Sequence, residues 1–311
     1  MLIALLDTAF AAGRSAYTLG PAIGYPTETR PAAARVADVT GDGALYVVVA
    51  AAGGDGNANE VLVFPQLADG TLGEPVGFPF GGNAIVRALA AGDVDGDGAT
   101  DVVVSAWLGG TYLFFGTGFG RLDGPYTVDE RESYDILAAD LDADGDDDLV
   151  TVSGEGVHAF ARVDGARFDE RLVGTPAATW ELAHADVTGD GARDVVGAGS
   201  SWTWMLVVYA GNADGSFAEE VVWTDGRASL AGALAAADFD GDGATDVVVA
   251  GSGNSPVRLY VFPSGGGEPA GLESYDLPTS VDAGDLDGDG DADLVVGHDG
   301  WGAVTVHLQE E

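Results

Sequence analysis

The sequence predicts an all-β fold, a β-propeller of four-stranded antiparallel blades, and three observations indicate it. A loop rich in aspartate and followed by an apolar, β-branched run occurs six times, with first aspartates Asp38, Asp93, Asp140, Asp186, Asp238 and Asp285. The steps between them are 55, 47, 46, 52 and 47 residues, a period typical of solenoids, propellers and modular arrays. The 49 glycines and the short strand-like runs favour β-structure over helices.

Each period contains four short strand segments. In the second unit, "VRALAAGDV" leads into the aspartate loop, "DVVVSA" follows it, and "TYLFFG" and "GPYTVDE" complete the unit. Four antiparallel strands repeated around a ring describe a propeller blade. The alanine and glycine of the first segment suit an innermost strand, where large side chains would collide near the axis.

We expect one propeller domain over residues 1–311, with six blades at about 33–86, 87–134, 135–180, 181–232, 233–279 and 280–311. The last unit has only three strand segments, and the N-terminal "TLGPAIGYPTE" matches the fourth-strand segment "TLGEPVGFPFG" of the first unit. Residues 18–27 are therefore expected to complete the sixth blade and to close the ring by pairing the chain ends. A seventh blade is the alternative, because "LIALLDT" resembles another third strand. The same N-terminal stretch has a second interpretation, as the remnant of an export signal.

The aspartate loop has the composition of a metal-binding loop. When "DVDGDGATD" is numbered from one to nine, the carboxylates at 1, 3, 5 and 9 and the carbonyl at 7 can point inward if glycine at 6 permits a tight turn. Oxygen ligands at this density select a hard cation, and the flexible geometry favours Ca²⁺ over Mg²⁺. An EF-hand would need a glutamate at position 12 in a helix, where this sequence has Val104 in a strand. The pattern thus predicts a calcium loop within a β-hairpin.

These units resemble FG-GAP or VCBS repeats, the blades of integrin α-subunit heads and of many bacterial surface proteins. The likeness rests on the "DxDGDGxxD" loops and on "LFFGTGFGRLDGP" (113–125), which is similar to the family's link between third and fourth strands. It covers the chain from about residue 18 onward. The resemblance is a specific indication of the fold and of calcium binding. It indicates little about function, because the same blades occur in adhesins, lectins and enzyme-associated domains.

The resemblance implies calcium as the bound ion and assigns its side-chain ligands. Four complete loops would supply Asp93, Asp95, Asp97, Asp101; Asp140, Asp142, Asp144, Asp148; Asp238, Asp240, Asp242, Asp246; and Asp285, Asp287, Asp289, Asp293. The fourth loop would supply Asp186, Thr188, Asp190 and Asp194, with one charge replaced by a hydroxyl. The first loop offers Asp38, Thr40 and Asp42 but has Tyr46 at position 9, so we expect that site to be weak or empty.

Strand alternation predicts a second functional face. The calcium loops lie at the same end of the blades as the turns between third and fourth strands, so the other connections emerge at the opposite end. That end is expected to gather four tryptophans: Trp107, Trp180, Trp202 and Trp301. Aromatic side chains in adjacent loops would suit sugar or peptide recognition, and packing between neighbouring blades is the alternative.

Composition excludes several classes of function. The chain has 51 acidic and 12 basic residues, a formal charge of −39 that repels nucleic acid and anionic membranes. Its lack of cysteine excludes disulfides, thiolate metal sites and a cysteine nucleophile. No run of 18 apolar residues predicts a membrane span. The four histidines show no metal-ligand spacing, and no G-x-S-x-G, P-loop or H-E-x-x-H motif occurs.

We therefore expect a non-enzymatic, calcium-stabilised recognition or adhesion module for carbohydrate or protein ligands. It would act outside the cell or on its surface, where millimolar calcium keeps even weak sites filled. One alternative is a polysaccharide-active enzyme, such as a lyase, with its site in the central cleft. The other is a structural spacer whose repeats only fold.

Overall fold

The computed structural model describes most of the 311-residue chain. The described residues are 25, 30–41, 43–53, 58–67, 71–82, 84–174, 179–200, 204–225, 230–252, 257–264, 269–273, 278–284, 292–298, 303–307 and 309. Within these ranges the chain forms β-strands and turns and contains no helix.

The described residues form 23 strands. In chain order they are β1 (Arg30–Ala37), β2 (Tyr46–Ala52), β3 (Asn59–Phe64), β4 (Val76–Phe80), β5 (Ile85–Gly92), β6 (Asp101–Trp107), β7 (Gly110–Gly116), β8 (Leu122–Asp129), β9 (Asp135–Ala139), β10 (Asp148–Val152), β11 (Val157–Asp164), β12 (Arg167–Gly174), β13 (Thr179–Ala185), β14 (Asp194–Ser200), β15 (Trp204–Gly211), β16 (Phe217–Asp225), β17 (Leu230–Ala237), β18 (Asp246–Ser252), β19 (Val257–Phe262), β20 (Ala270–Glu273), β21 (Pro278–Gly284), β22 (Asp293–His298) and β23 (Ala303–His307).

These strands form six antiparallel sheets in which each strand pairs with the next along the chain. Sheets one to five contain β1–β4, β5–β8, β9–β12, β13–β16 and β17–β20, and sheet six contains β21–β23. The first strand of each sheet contacts the first strand of the following sheet, from β1 against β5 through to β17 against β21. This is the organisation of propeller blades with their innermost strands side by side, so the predicted all-β class and four-stranded antiparallel units are confirmed.

The hydrophobic core lies between neighbouring sheets. In β2, Val48 and Ala50 pack toward sheet two, whereas Val49 and Ala51 pack with Leu62 on the opposite face of sheet one. Successive side chains of a strand point to opposite faces, so a strand with both faces covered reads as a continuous apolar run. This explains the runs that follow every aspartate loop.

One residue of the predicted closing segment 18–27 is described. The Tyr25 ring lies 6.4 Å from that of Phe64, in an edge-to-face arrangement, and its Oη accepts the backbone N–H of Leu72 at 3.0 Å. Tyr25 thus covers the face of sheet one that points away from sheet two. The rest of the predicted segment lies outside the described residues.

No helix in the described ranges is long and apolar enough to span a membrane.

Candidate metal centres

The aspartate loops connect the first and second strands of the sheets, and their backbones reverse at two fixed positions. In the second loop, φ is 68° at Gly96 (position 4) and 87° at Gly98 (position 6). Glycine adopts this left-handed region without steric cost, which permits the tight turn. The third loop has Ala143 at position 4 with a φ of 59°, so a residue with a Cβ occupies the strained region there.

Three loops bring carboxylate oxygens together. In each of them, one oxygen from each of three aspartates lies within 4.8 Å of the others: Asp93, Asp95 and Asp101; Asp140, Asp142 and Asp144; Asp238, Asp240 and Asp246. Oxygens on opposite sides of one Ca²⁺ ion lie about 4.6–5.2 Å apart, since each Ca–O distance is about 2.3–2.6 Å. The remaining expected ligands of these loops lie outside the three groups: Asp97, Asp148 and Asp242.

The third loop contains two buried carboxylate oxygens without a hydrogen-bond partner among the described residues. The Oδ1 atoms of Asp140 and Asp142 are inaccessible to solvent and accept no hydrogen bond from the described part of the chain. An ionised carboxylate oxygen can only accept, and burial without a partner is costly. Carboxylate oxygens are hard donors, so these residues fit a divalent ion such as Ca²⁺.

The electrostatics of the loops point the same way. Burial, followed by the charge of Asp97, raises the pKa of Asp95, and burial followed by the charge of Asp144 raises the pKa of Asp142. Burial also raises the pKa of Asp101 to about 7. A carboxylate in such a cluster resists ionisation, and a bound cation would remove that resistance.

The aspartate at position 9 has a structural task that the sequence pattern did not reveal. Asp101 is fully buried, and its Oδ2 accepts the backbone N–H groups of Val94 at 2.8 Å and Asp95 at 3.2 Å. Its Oδ1 accepts the N–H of Gly116, at the end of the third strand, at 2.7 Å. Asp101 therefore connects the aspartate loop to the end of the third strand of the same sheet.

This position-9 anchor recurs in other sheets. The equivalent carboxylates also accept backbone N–H groups: Asp148 from Leu141; Asp194 from Val187, Thr188 and Gly211; Asp246 from Phe239 and Ser264; and Asp293 from Gln309. Sheet one has Tyr46 at this position and so cannot form the anchor.

The first loop uses its leading carboxylate internally. Asp38 Oδ1 accepts the N–H and the hydroxyl of Thr40 and the N–H of Gly41, and Oδ2 accepts the N–H of Gly43 at 2.6 Å. Asp42, the third expected ligand, lies outside the described residues. The expectation of a weak or empty first site stays a prediction.

The fourth and sixth loops are less complete. In the fourth, Asp186 accepts three backbone N–H groups, from Gly189, Asp190 and Gly191, at 2.7–3.1 Å. Among the described residues, this loop contributes no group of three carboxylates within 4.8 Å. In the sixth loop, only the position-9 aspartate is described, and the other expected ligands fall outside: Asp285, Asp287 and Asp289.

Neighbouring aspartate loops are hydrogen-bonded to each other. The backbone N–H of Thr100, at position 8 of the second loop, reaches the carbonyl of Asp38 at 3.4 Å. Arg162 of sheet three joins the second and third loops, because its Nη1 donates to the carbonyl of Asp95 at 3.3 Å and to Asp146 Oδ2 at 3.0 Å. The candidate metal loops of sheets one to three thus form a continuous row.

The structure describes two of the four predicted ligand-face tryptophans, and both lie at the end opposite the aspartate loops. Trp107 ends β6, and its Nε1 donates to Glu132 Oε2 at 2.6 Å. Trp180 is near the start of β13, is 46% exposed, and has its ring centroid 4.6 Å from that of Tyr134. Trp202 and Trp301 lie outside the described residues.

The described histidines take part in packing and ion pairs. His158 is buried, and its Nδ1 lies 2.7 Å from Glu170 Oε1. Burial, followed by the charge of Arg193, lowers the pKa of His184. No histidine of the described residues belongs to a carboxylate group that could hold a metal.

Known structures with low sequence identity are similar to this chain. A lectin from Agrocybe aegerita, studied for its recognition of non-reducing terminal N-acetylglucosamine, is 20% identical, with a TM-score of 0.60 over 91% of this chain and 81% of the lectin. The V. cholerae biofilm matrix protein Bap1 is 19% identical, with a TM-score of 0.50 over 79% of this chain and 40% of Bap1. The rhamnogalacturonan lyase YesW is 14% identical, with a TM-score of 0.47 over 90% of this chain and 68% of the lyase.

Sequence comparison gives a family. No curated protein sequence matches the chain. The family model described as FG-GAP-like repeat matches residues 38–104, 186–249 and 238–296, more than half of the chain. Each matched region starts at the first aspartate of a loop whose geometry is given above. The chain therefore belongs to the FG-GAP-like repeat family.

Proposed function

We propose that this protein is a calcium-stabilised β-propeller that acts as a non-enzymatic recognition or adhesion module for a carbohydrate or protein ligand. The observation that carries the proposal is the different chemistry of the two sheet ends. Carboxylate loops occupy one end, and the half-exposed Trp180 lies with the partly buried Trp107 and Tyr134 at the other. The first suits a structural ion and the second an external ligand. The lectin and the biofilm matrix protein with the same fold support a recognition role.

Calcium would be held by the carboxylate groups of the second, third and fifth loops. When bound, it supplies positive charge that cancels the repulsion among clustered carboxylates. The sixth loop carries the full set of aspartates in its sequence, and the fourth replaces one with Thr188. The first loop is the weakest candidate, because Thr40 replaces an aspartate at position 3 and Tyr46 brings no carboxylate at position 9.

The proposal includes a ring of six blades closed by the two chain ends. Sheet six has three strands in the described residues, so one strand is needed to match the other sheets. Tyr25, from the segment expected to supply that strand, packs on the face of sheet one where a sixth blade would lie. A cavity of about 730 Å³ is lined by Arg35 of sheet one and by Ser280 and Asp282 of sheet six, which supports the proposed closure.

We place the module outside the cell or on its surface. Extracellular calcium is millimolar, enough to fill sites of modest affinity, whereas cytosolic calcium is not. The strong negative charge keeps such a protein soluble and away from nucleic acid and anionic lipid.

The second candidate function is a polysaccharide-active enzyme, such as a lyase, with its site near the axis. The observation that favours it is a charged group from the first strands of three sheets: Arg35 on β1, Asp135 on β9 and Glu181 on β13. Burial, followed by the charge of Asp135, raises the pKa of Glu181 to about 8, and burial raises the pKa of Asp135 to about 6. Carboxyl groups that titrate near neutrality are suited to proton transfer.

Thermal unfolding in calcium and in EDTA tests the metal proposal. A site that binds only the folded protein adds about 2.7 kcal/mol when calcium is at 100 times its dissociation constant. We expect a clear rise in melting temperature with calcium. The triple variant Asp95→Asn, Asp142→Asn, Asp240→Asn should lose most of this rise in melting temperature. Asp164→Asn is the control and should keep the rise, because Asp164 is exposed and lies outside the loops. Equal melting temperatures of the wild type in calcium and EDTA would contradict calcium binding.

Ligand binding and turnover separate the two candidate functions. The calcium-loaded chain is incubated with polysaccharides, and the products are analysed for newly formed unsaturated sugars. Binding without any product supports a recognition module. Product formation that is lost in Glu181→Gln would establish the enzyme instead.

A further inference from the structure

The first strands of sheets two, three and four carry large side chains at one equivalent position. This position lies five residues before the last paired residue of the strand. It is occupied by Arg87 in β5, by Tyr134 just before β9 and by Trp180 in β13. The pairing register shifts at Arg87 and at Trp180, and a β-bulge of this kind re-aims the side chain of the extra residue. The equivalent residues of the other sheets are smaller: Ala32, Gly232 and Thr279.

Three aromatic residues lie at this end of neighbouring sheets. Tyr134 and Trp180 are in contact, with ring centroids 4.6 Å apart. Tyr134 is linked to sheet two because its neighbour Ser133 donates its backbone N–H to the carbonyl of Ala106, the residue before Trp107, at 3.3 Å. We call Trp107, Tyr134 and Trp180 the aromatic band. It crosses the ends of three successive sheets.

Two polar side chains beside the aromatic band have hydrogen-bonding capacity to spare. The Arg87 guanidinium is exposed and lies 5.4 Å from the ring centroid of Trp107, and its N–H groups donate to none of the described residues. Glu181 follows Trp180, and its carboxyl group accepts no hydrogen bond from the described part of the chain. Asp135, at the matching position of sheet three, accepts the backbone N–H of Ile136 at Oδ1 and that of Leu182 at Oδ2. Glu181 therefore has more hydrogen-bonding capacity left for a ligand than Asp135.

The chemistry around the aromatic band selects among ligand classes. The net charge of −39 opposes an anionic glycan. Arg87 on the face of Trp107 opposes a cationic peptide at that ring. An uncharged sugar meets neither obstacle, because its C–H faces pack against aromatic rings and its hydroxyls pair with a guanidinium and a carboxyl group.

We propose that the aromatic band, with Arg87 and Glu181 beside it, binds an uncharged oligosaccharide whose pyranose rings stack on Trp180 and Trp107. This inference rests on the proposed recognition function and gives it a ligand class and a place. The half-exposed Trp180 forms the main platform, and Tyr134 supports it from the side.

The test uses the full chain in calcium on an array of neutral oligosaccharides of glucose, mannose, galactose and N-acetylglucosamine. We expect the wild type to bind at least one of them. Trp180→Ala should weaken that binding at least tenfold, and Trp180→Phe, which keeps an aromatic platform, should weaken it less. Phe119→Ala is the matched control, because Phe119 is an aromatic residue 87% exposed at the other end of the sheets, and it should stay within twofold of the wild type.

Arg87→Ala is a second variant for the case in which Trp180→Ala does not fold. Arg87 is exposed, so its removal should leave the melting temperature nearly unchanged and lower affinity severalfold. Wild-type affinity in both Trp180→Ala and Arg87→Ala would overturn the site while leaving a recognition function elsewhere on the molecule.

Two further outcomes are decisive. The inference is overturned if folded, calcium-loaded wild type binds none of the neutral oligosaccharides. If the same sample binds a protein or a charged ligand, the proposed recognition function still stands. Cleavage of a bound oligosaccharide would overturn the non-enzymatic function and retain the aromatic band as its binding site.

Discussion

The carboxylate of Asp147 accepts the backbone N–H of Asp93, with 2.9 Å between Oδ2 and the nitrogen. The backbone N–H of Asp147 returns a hydrogen bond to the carbonyl of Asp93 at 2.8 Å. Asp93 is the first candidate ligand of the second loop, whereas Asp147 stands at position 8 of the third loop and is not a candidate ligand. A candidate metal loop is thus held in place from the neighbouring sheet.

Asp147→Ala should weaken calcium binding by the second loop, although Asp147 is not an expected ligand. The variant loses a hydrogen bond to a charged acceptor, worth about 1.5–3 kcal/mol, so binding is expected to weaken by about tenfold to a hundredfold. Calorimetric titration measures it. Asp147→Asn retains an acceptor oxygen and should keep most of the affinity. Equal losses in Asp147→Ala and Asp147→Asn would show that charge, and not the hydrogen bond, is responsible.

Asp101→Ala and Asp97→Asn should separate the position-9 anchor from metal binding. Asp101→Ala leaves buried backbone N–H groups without an acceptor, so we expect a loss of about 2–4 kcal/mol in the free energy of unfolding, in EDTA as well as in calcium. Asp97 is exposed, and its asparagine variant retains an acceptor for the N–H of Ala99. Asp97→Asn should therefore lower stability only in calcium. Denaturant unfolding under both conditions distinguishes the two roles.

Ala143→Gly should stabilise the protein. Ala143 has a φ of 59° in an exposed turn, and a Cβ in this region costs about 1 kcal/mol. The expected gain is of that size, reduced by the entropy that glycine adds to the unfolded chain. Ala192→Gly is the control, because Ala192 lies in the fourth loop without a positive φ and should lose stability. A lower melting temperature for Ala143→Gly would contradict the strain.

Glu181 should make stability depend on pH. Its pKa is raised in the folded protein from 4.5 to about 8, so the folded state holds a proton that the unfolded state releases. Its contribution is fully present below about pH 4.5 and is lost as pH rises to about 8. Glu181→Gln removes this pH-dependent contribution to the free energy of unfolding. In saturating calcium the variant should therefore gain stability relative to the wild type as the pH rises from 5 to 8.5.

Arg35 provides the complementary variant. Its charge lowers the pKa of Glu181 and of Asp135, so Arg35→Met should raise both and steepen the loss of stability with pH. Thermal melts of the wild type, Glu181→Gln and Arg35→Met at several pH values check the two expectations together. A constant difference between the wild type and Glu181→Gln across the range would contradict burial of this carboxyl group.

Local chemistry made much of the fold predictable. Val102, Val103 and Val104 follow Asp101 as an unbroken apolar run because both faces of β6 are covered, and the loop before them has glycine where the backbone turns left-handed. These signals lie within one hairpin and repeat along the chain. The six hairpins, the all-β class and the repeat family could therefore be predicted from the sequence. The expected ligands Asp93 and Asp95 come together for the same reason.

Other features depend on contacts that no repeated letter marks. Position 8 is Thr100 in the second loop and Asp147 in the third, so the sequence does not reveal that both reach the preceding loop. Arg35 and Glu181 are far apart along the chain, and only the side-by-side arrangement of the first strands brings their charges close. The anchoring task of Asp101 was hidden because a metal ligand and a backbone acceptor call for the same side chain.

The position-9 anchor has an evolutionary consequence. Both the carboxylate and the N–H groups it holds belong to a single sheet, so a duplicated segment carries its own fastening with it. A copied unit can therefore form its own aspartate loop, whereas contacts between sheets, such as that of Asp147 with Asp93, still depend on the neighbour.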